Sequence, residues 1–200
     1  MENAVLAIGS KVPNSTIEVF NPKTRDFANV SLEEIRARKK WTVLVFYPGD
    51  FTFVCPTELA DIAGIQKDLA DLGVEVISMS TDSKHTHLGW YDVELMLKEV
   101  KYLMGADPTG RISRMFGVYD EDSGTAFRGT FIINPEGELV GSEINYFNLW
   151  RNADELLRKM KANVYLAGHP DEACPAKWDV GAKTLKPGAW LVGRVYEAMK

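Results

Sequence analysis

Cys55 stands in the run Pro48-Gly49-Asp50-Phe51-Thr52-Phe53-Val54-Cys55-Pro56-Thr57-Glu58, and its sulfur is the side-chain atom best suited to covalent chemistry. A sulfur nucleophile works as the thiolate, yet a free cysteine with a pKa of about 8.5 is ionised only to a few per cent at neutral pH. A reactive cysteine therefore needs positive potential close by. The N-terminus of a helix supplies unpaired N–H groups and partial positive charge, and a neighbouring arginine adds to both. Thr52, three residues earlier, could set a hydroxyl beside the sulfur or beside its substrate. The competing reading of Cys55 is a small buried hydrophobe.

The flanking elements favour the reactive reading. Trp41-Thr42-Val43-Leu44-Val45-Phe46-Tyr47 is apolar and β-branched, as in a buried strand, and Pro48-Gly49 breaks it. Leu59, Ile62, Ile65, Leu69 and Leu72 then recur at spacings of three and four, which predicts a helix stopped by Gly73. Pro56 suits the first helical position, where its missing N–H costs nothing. Cys55 is thus expected at the N-cap or first turn of a helix, on a loop leaving a strand.

The rest of the chain continues this alternation. Thr16–Phe20 reads as a strand, and Ser31-x-x-Glu34 as the capping box of a short helix whose basic end, Arg36 to Lys40, complements the helix terminus. Val74–Ser80 is a strand, and Thr81-Asp82-Ser83 caps a helix running through Trp90 toward Val100. This is the pattern of parallel βαβ units, whose sites form beyond the carboxyl ends of the strands, so Thr81 to Ser83 are expected near Cys55. Asn134-Pro135-Glu136-Gly137 joins strand-like segments 126–134 and 138–145 in a hairpin. Asn152-x-x-Glu155 opens a last helix with Ala153, Leu156, Leu157, Met160 and Val164 on one face. From Gly168 periodicity is lost, and a tail over 168–200 is expected, ordered against a partner.

Two hundred residues with a net charge of −5 suit one α/β domain and give no reason to expect nucleic acid or an anionic membrane as partner. No apolar run approaches the ~20 residues of a membrane span and no signal pattern opens the chain, so a cytoplasmic location is expected. Two cysteines are too few for a disulfide scaffold. His85, His87 and His169 lack the clustered partners that a metal site needs, and no Gly-rich phosphate loop occurs; neither metal nor cofactor is expected. Arg128 lies in Phe127-Arg128-Gly129-Thr130-Phe131-Ile132-Ile133, otherwise neutral, where it is either on a solvent face or buried against an anion.

Pro48-x-x-x-Thr52-x-x-Cys55 resembles the peroxidatic motif of the peroxiredoxins, and its wider context resembles their typical two-cysteine, alkyl hydroperoxide reductase-like subgroup. The resemblance returns in Arg128-Gly129-Thr130-Phe131 and Cys174-Pro175-Ala176-Lys177-Trp178 and spans about residues 5 to 180. It implies a thioredoxin-like fold, a central mixed β-sheet flanked by helices, with residues 1–167 as the domain and 168–200 as an extended C-terminal tail. It implies peroxide reduction without a bound cofactor: Cys55 attacks and becomes a sulfenic acid, and Cys174 of the partner subunit resolves it to a disulfide that an external dithiol reduces. Read from its residues alone, Cys174 is the only other cysteine and so the candidate second thiol, with an incidental exposed thiol as the competing reading. By the same resemblance Thr52 bonds a peroxide oxygen, Pro48 shields the site from water, and Arg128 contacts sulfur and peroxide.

Glu58, one turn after Cys55, either orients an arginine or favours the helix N-terminus. Arg151 matches a further family arginine, although Trp150 replaces the usual preceding glycine. The family adds a homodimer, often a ring of five dimers, and thioredoxin or a dedicated flavoprotein as reductant. Asp122-Ser123-Gly124-Thr125 lacks the Gly-Gly-Leu-Gly loop of oxidation-sensitive relatives, and the C-terminus lacks their Tyr-Phe pair, implying resistance to over-oxidation. Two other readings share the cysteine: a general disulfide oxidoreductase, against which Thr52 occupies the position of the first cysteine in Cys-x-x-Cys, and an oligomeric chaperone or peroxide sensor.

Overall fold

The apolar run before Cys55 becomes an interior strand of a seven-stranded sheet. The computed structural model describes residues 5–200; residues 1–4, which the sequence reading includes in its first domain, lie outside the described residues. In chain order the elements are β1 (Thr16–Asn21), β2 (Asp26–Ser31), α1 (Leu32–Ala37), β3 (Trp41–Phe46), α2 (Cys55–Asp71), β4 (Val74–Ser80), α3 (Lys84–Val93), β5 (Leu103–Ala106), α4 (Arg111–Met115), β6 (Tyr119–Asp120), β7 (Thr125–Ala126), β8 (Arg128–Ile133), β9 (Leu139–Asn145), α5 (Ala153–Gly168) and α6 (Val195–Met199). The sheet order is β2-β1-β5-β4-β3-β8-β9. β3, β4 and β5 run parallel, while β8 pairs antiparallel with β3 and β9 with β8. This is the expected mixed sheet.

The local causes are those of the sequence. Every residue of β3 is buried, as a strand covered on both faces requires. Phe46, Phe116 and Phe131 meet with ring centroids 4.7–5.6 Å apart beneath it. At α1 the Ser31 hydroxyl accepts from the Glu33 N–H, and the Glu34 carboxylate accepts from the Ser31 N–H at 3.2 Å. Gly73 ends α2 in the left-handed region, at φ +77°, where a side chain would be strained.

Three expectations need correction. β2 was not foreseen: its residues are half-exposed or exposed, and its pairing with β1 rests on backbone bonds that no apolar alternation announces. α3 does not continue toward Val100. Glu94 turns the backbone to an extended conformation, and its carboxylate accepts the Met96 N–H to start a short 3-10 turn, Leu95–Leu97. The segment 126–134 is not one strand either, because Ala126 pairs with Tyr119 in a separate two-stranded sheet and β8 begins only at Arg128.

The chain forms two compact units, one ending at Ala153 and the other running from Asp154 to Lys200. In the second, α5 buries Leu156, Leu157 and Met160, and Ala173 and Leu185 form an isolated antiparallel bridge. Among the described residues no helix is long and apolar enough to cross a membrane.

Candidate active site

Cys55 is the first residue of α2 and is 1% exposed. Pro56 follows at the second helical position, one later than expected, still within the turn where no intrahelical bond needs its N–H. Val54, the N-cap, offers no side-chain acceptor, and the Thr57 N–H of the first turn donates to its carbonyl at 2.9 Å.

Arg128 comes to the sulfur from β8. That strand pairs Thr130 with Val45, so Arg128 falls two residues onward, beyond the carboxyl end of β3 where the Cys55 loop leaves. All six residues of β8 are buried, which decides the open question of its face: Arg128 is covered, and its anion is Glu58. Its Nη1 lies 3.6 Å from Cys55 Sγ and also donates to Glu58 Oε2, while Nε donates to the Phe147 carbonyl at 2.8 Å.

Glu58 is 3% exposed and holds a second guanidinium. Arg151 Nε donates to its Oε1 at 3.0 Å and Nη2 to its Oε2 at 3.1 Å, and the Arg151 backbone N–H adds a bond of 3.1 Å. Arg151 Nη1 is fixed in turn by the carbonyls of Phe46 and Gly129, at 2.8 and 2.9 Å. Glu58 pairs with two arginines, and it is also the acidic residue in the first turn of α2. Two buried guanidiniums facing one carboxylate leave one positive charge in excess, against the Cys55 sulfur. In surroundings of low polarity that excess is weakly screened at Sγ.

The loop between β3 and α2 carries Pro48, half-buried, and Thr52, whose hydroxyl donates to the Gly49 carbonyl at 2.8 Å and keeps its oxygen free to accept. Of Thr81 to Ser83, Asp82 reaches this loop, its Oδ2 accepting from the Asp50 N–H at 2.8 Å, while the Ser83 hydroxyl caps α3 at the Thr86 N–H. Cys174 lies in the second unit, partly buried.

Sequence reasoning missed what holds this loop. Asp50 is buried, and its Oδ1 accepts from Tyr47 Oη at 2.7 Å while Oδ2 meets His87 Nδ1 at 2.7 Å. His87 Nε2 is 3.1 Å from the Gly105 carbonyl, which can only accept, so Nε2 carries a hydrogen. Asp50 Oδ2 and His87 Nδ1 then share a single proton between them. Burial raises the Asp50 carboxyl from the ordinary range, against the opposing bond to His87. An Asp50→Asn variant fits the same pattern, since its amide donates to Nδ1 and accepts from Tyr47. It is expected to stay within ~1 kcal/mol of the parent in urea unfolding, whereas Asp50→Ala leaves two buried groups unpartnered at about 1–3 kcal/mol each. Equal midpoints for the two variants would refute the network.

The three histidines are spoken for differently: His85 packs edge-on against Phe27, His169 stacks on Tyr165, and His87 belongs to this loop. Among the described residues no group of His, Cys, Asp and Glu is arranged to hold a metal.

A family model described as the AhpC/TSA family matches residues 8–142, a stretch that takes in Cys55, Glu58 and Arg128. The chain belongs to the AhpC/TSA family. This peroxiredoxin is 44% identical over 188 residues to alkyl hydroperoxide reductase C of Staphylococcus aureus, covering 94% of this chain and 98% of that one. Among solved structures, AhpC of Enterococcus faecalis is 42% identical, covers 86% of this chain and all of that one, and superposes with a TM-score of 0.80. The reduced 2-Cys peroxiredoxin of Plasmodium vivax is 29% identical, covers 93% of this chain and 98% of its own, and gives 0.86. The peroxiredoxin is thus an enzyme of thiol-dependent peroxide reduction with the thioredoxin-like fold of these neighbours.

Proposed function

We propose that this peroxiredoxin reduces hydrogen peroxide and organic hydroperoxides through Cys55, and that Cys174 completes the cycle. The observation that carries the reading is Arg128 Nη1 at 3.6 Å from Sγ, in a cluster with one uncompensated positive charge. The Cys55 thiolate attacks one peroxide oxygen, the O–O bond breaks, and the departing oxygen takes up a proton to leave as water or alcohol. Cys55 is left as a sulfenic acid. Arg128 faces the charge growing on the departing oxygen, Thr52 bonds the peroxide, Pro48 excludes water, and Glu58 with Arg151 keeps Arg128 in place. The organic part of the substrate range is supported by relatives that carry the name alkyl hydroperoxide reductase C.

Cys174 of the partner subunit then condenses with the sulfenic acid, forming a disulfide and releasing water, and an external dithiol reduces the disulfide. Thioredoxin or a dedicated flavoprotein fills that last role, in the cytoplasm. The assembly is a homodimer, able to form a ring of five dimers, and the Asp122–Thr125 loop makes it resistant to over-oxidation.

One equivalent of peroxide followed by non-reducing electrophoresis tests the scheme. A covalent dimer is expected, absent in both Cys55→Ser and Cys174→Ser. Cys55→Ser is expected to abolish turnover, and Cys174→Ser to permit a single oxidation per subunit without cycling. A Cys174→Ser variant that cycles normally with a dithiol reductant removes the two-cysteine mechanism.

A further inference from the structure

The segment that carries Cys174 is fastened on both sides of the thiol. Immediately before it, the Ala173 N–H donates to the Leu185 carbonyl at 2.7 Å, and the Leu185 N–H returns the bond to the Ala173 carbonyl at 3.0 Å. One residue earlier, Glu172 Oε2 accepts from Tyr165 Oη of α5 at 2.8 Å and from the Thr184 hydroxyl. After it, the Trp178 indole, 2% exposed, donates to the Ala182 carbonyl at 3.1 Å, and Arg158 Nη1 donates to the Trp178 carbonyl at 2.9 Å.

Of these fastenings Glu172 is the one whose single side-chain oxygen makes two, one to each side of the thiol. A single carboxylate oxygen ties α5, through Tyr165, to the returning segment, through Thr184, and the Ala173–Leu185 bridge lies directly beside it. Bonds to a charged acceptor are the strong ones among exposed or half-exposed hydrogen bonds. The same carboxylate, after burial, raises the Cys174 thiol above its ordinary range, with Arg158 opposing.

A disulfide demands an S–S distance near 2.05 Å and a narrow range of Cβ separations, so the attacking residue must be able to move with its backbone. We propose that Glu172 is the positioning residue of a latch: its bonds to Tyr165 and Thr184 hold the Cys174 segment closed, and their opening sets the rate at which Cys174 resolves the sulfenic acid. This inference rests on the reading of Cys174 as the resolving thiol. While the latch is closed, the Cys55 sulfenate is open to a second peroxide, which transfers one oxygen to sulfur to give sulfinate and leaves as water. Latch strength thereby divides Cys55 between disulfide and sulfinate.

Rapid-quench mass analysis of the full chain after peroxide addition reads both branches. Thr184→Val keeps the side-chain shape and removes one bond; Tyr165→Phe removes the other. Each is expected to speed disulfide formation about tenfold, the effect of one lost bond to a charged acceptor on an opening equilibrium. The sulfinate fraction is expected to fall in step, and amide exchange at Ala173 and Leu185 to accelerate, while the initial oxidation of Cys55 keeps its rate. Glu172→Gln, which still accepts both hydroxyls without the charge, is expected to fall between these variants and the parent. Disulfide formation in Thr184→Val that is unchanged or slower than in the parent overturns the latch. A parent protein that forms no disulfide through Cys174 overturns the resolving role itself, and that result is seen before any variant is made.

Discussion

Arg128→Met is expected to slow oxidation of Cys55 by peroxide roughly 100- to 1,000-fold, the usual effect of deleting one preorganised donor to a developing charge. The donor is already placed: Nη1 sits 3.6 Å from Sγ, fixed by Glu58 and, through Nε, by the Phe147 carbonyl. No reorganisation is needed when a peroxide arrives, and burial keeps the interaction from being screened. Methionine fills the apolar stem of the site and leaves Glu58 paired with Arg151 alone, so the variant is expected to fold. Arg128→Lys retains the charge without the planar fork that serves Cys55 and Glu58 together, and should recover only part of the rate. Stopped-flow oxidation at several peroxide concentrations measures the effect, and a second-order constant within threefold of the parent would dismiss Arg128 from the chemistry.

Removing the carboxylate between the two arginines should have the largest effect on stability. Glu58→Gln strips the guanidiniums of Arg128 and Arg151, each less than a tenth exposed, of the carboxylate they share. Breaking a buried pair in this way costs about 3–5 kcal/mol, because the charge left behind is neither solvated nor paired. Urea unfolding measures it. The double variant Glu58→Gln with Arg128→Met removes one of the stranded charges and is expected to be more stable than Glu58→Gln alone, a non-additivity that two independent sites would not show. A loss below ~1 kcal/mol in Glu58→Gln would mean that water or a rearrangement satisfies both arginines.

The part of this site that could be read from sequence is the part built from contiguous, strongly patterned segments. Strand, break and helix around Cys55 each carry a local signal: an unbroken apolar run, Pro48-Gly49, and a three-four repeat. They recur as β3, its loop and α2. What stayed open was settled by neighbours distant in the chain. The face of Arg128 could not be decided by period two because β8 lies between β3 and β9 and buries both its faces. The Tyr47–Asp50–His87 network was illegible for a related reason. Tyr47 closes the apolar run of β3, but Asp50 in the loop and His87 in α3 are polar and each alone resembles a solvated residue until burial brings them together. β2 escaped notice because an edge strand held by backbone bonds needs no apolar alternation.

The central claim is that the Cys55 sulfur, backed by Arg128 and an excess positive charge, is the atom that takes oxygen from peroxide. Trapping with a sulfenic-acid-specific dicarbonyl reagent tests it most directly, in the Cys174→Ser variant given one equivalent of hydrogen peroxide. The expected result is one label per chain, located on Cys55 by peptide mass analysis, with peroxide consumed far faster than free cysteine consumes it. An unlabelled Cys55, or peroxide consumption no faster than that of free cysteine, would contradict the account.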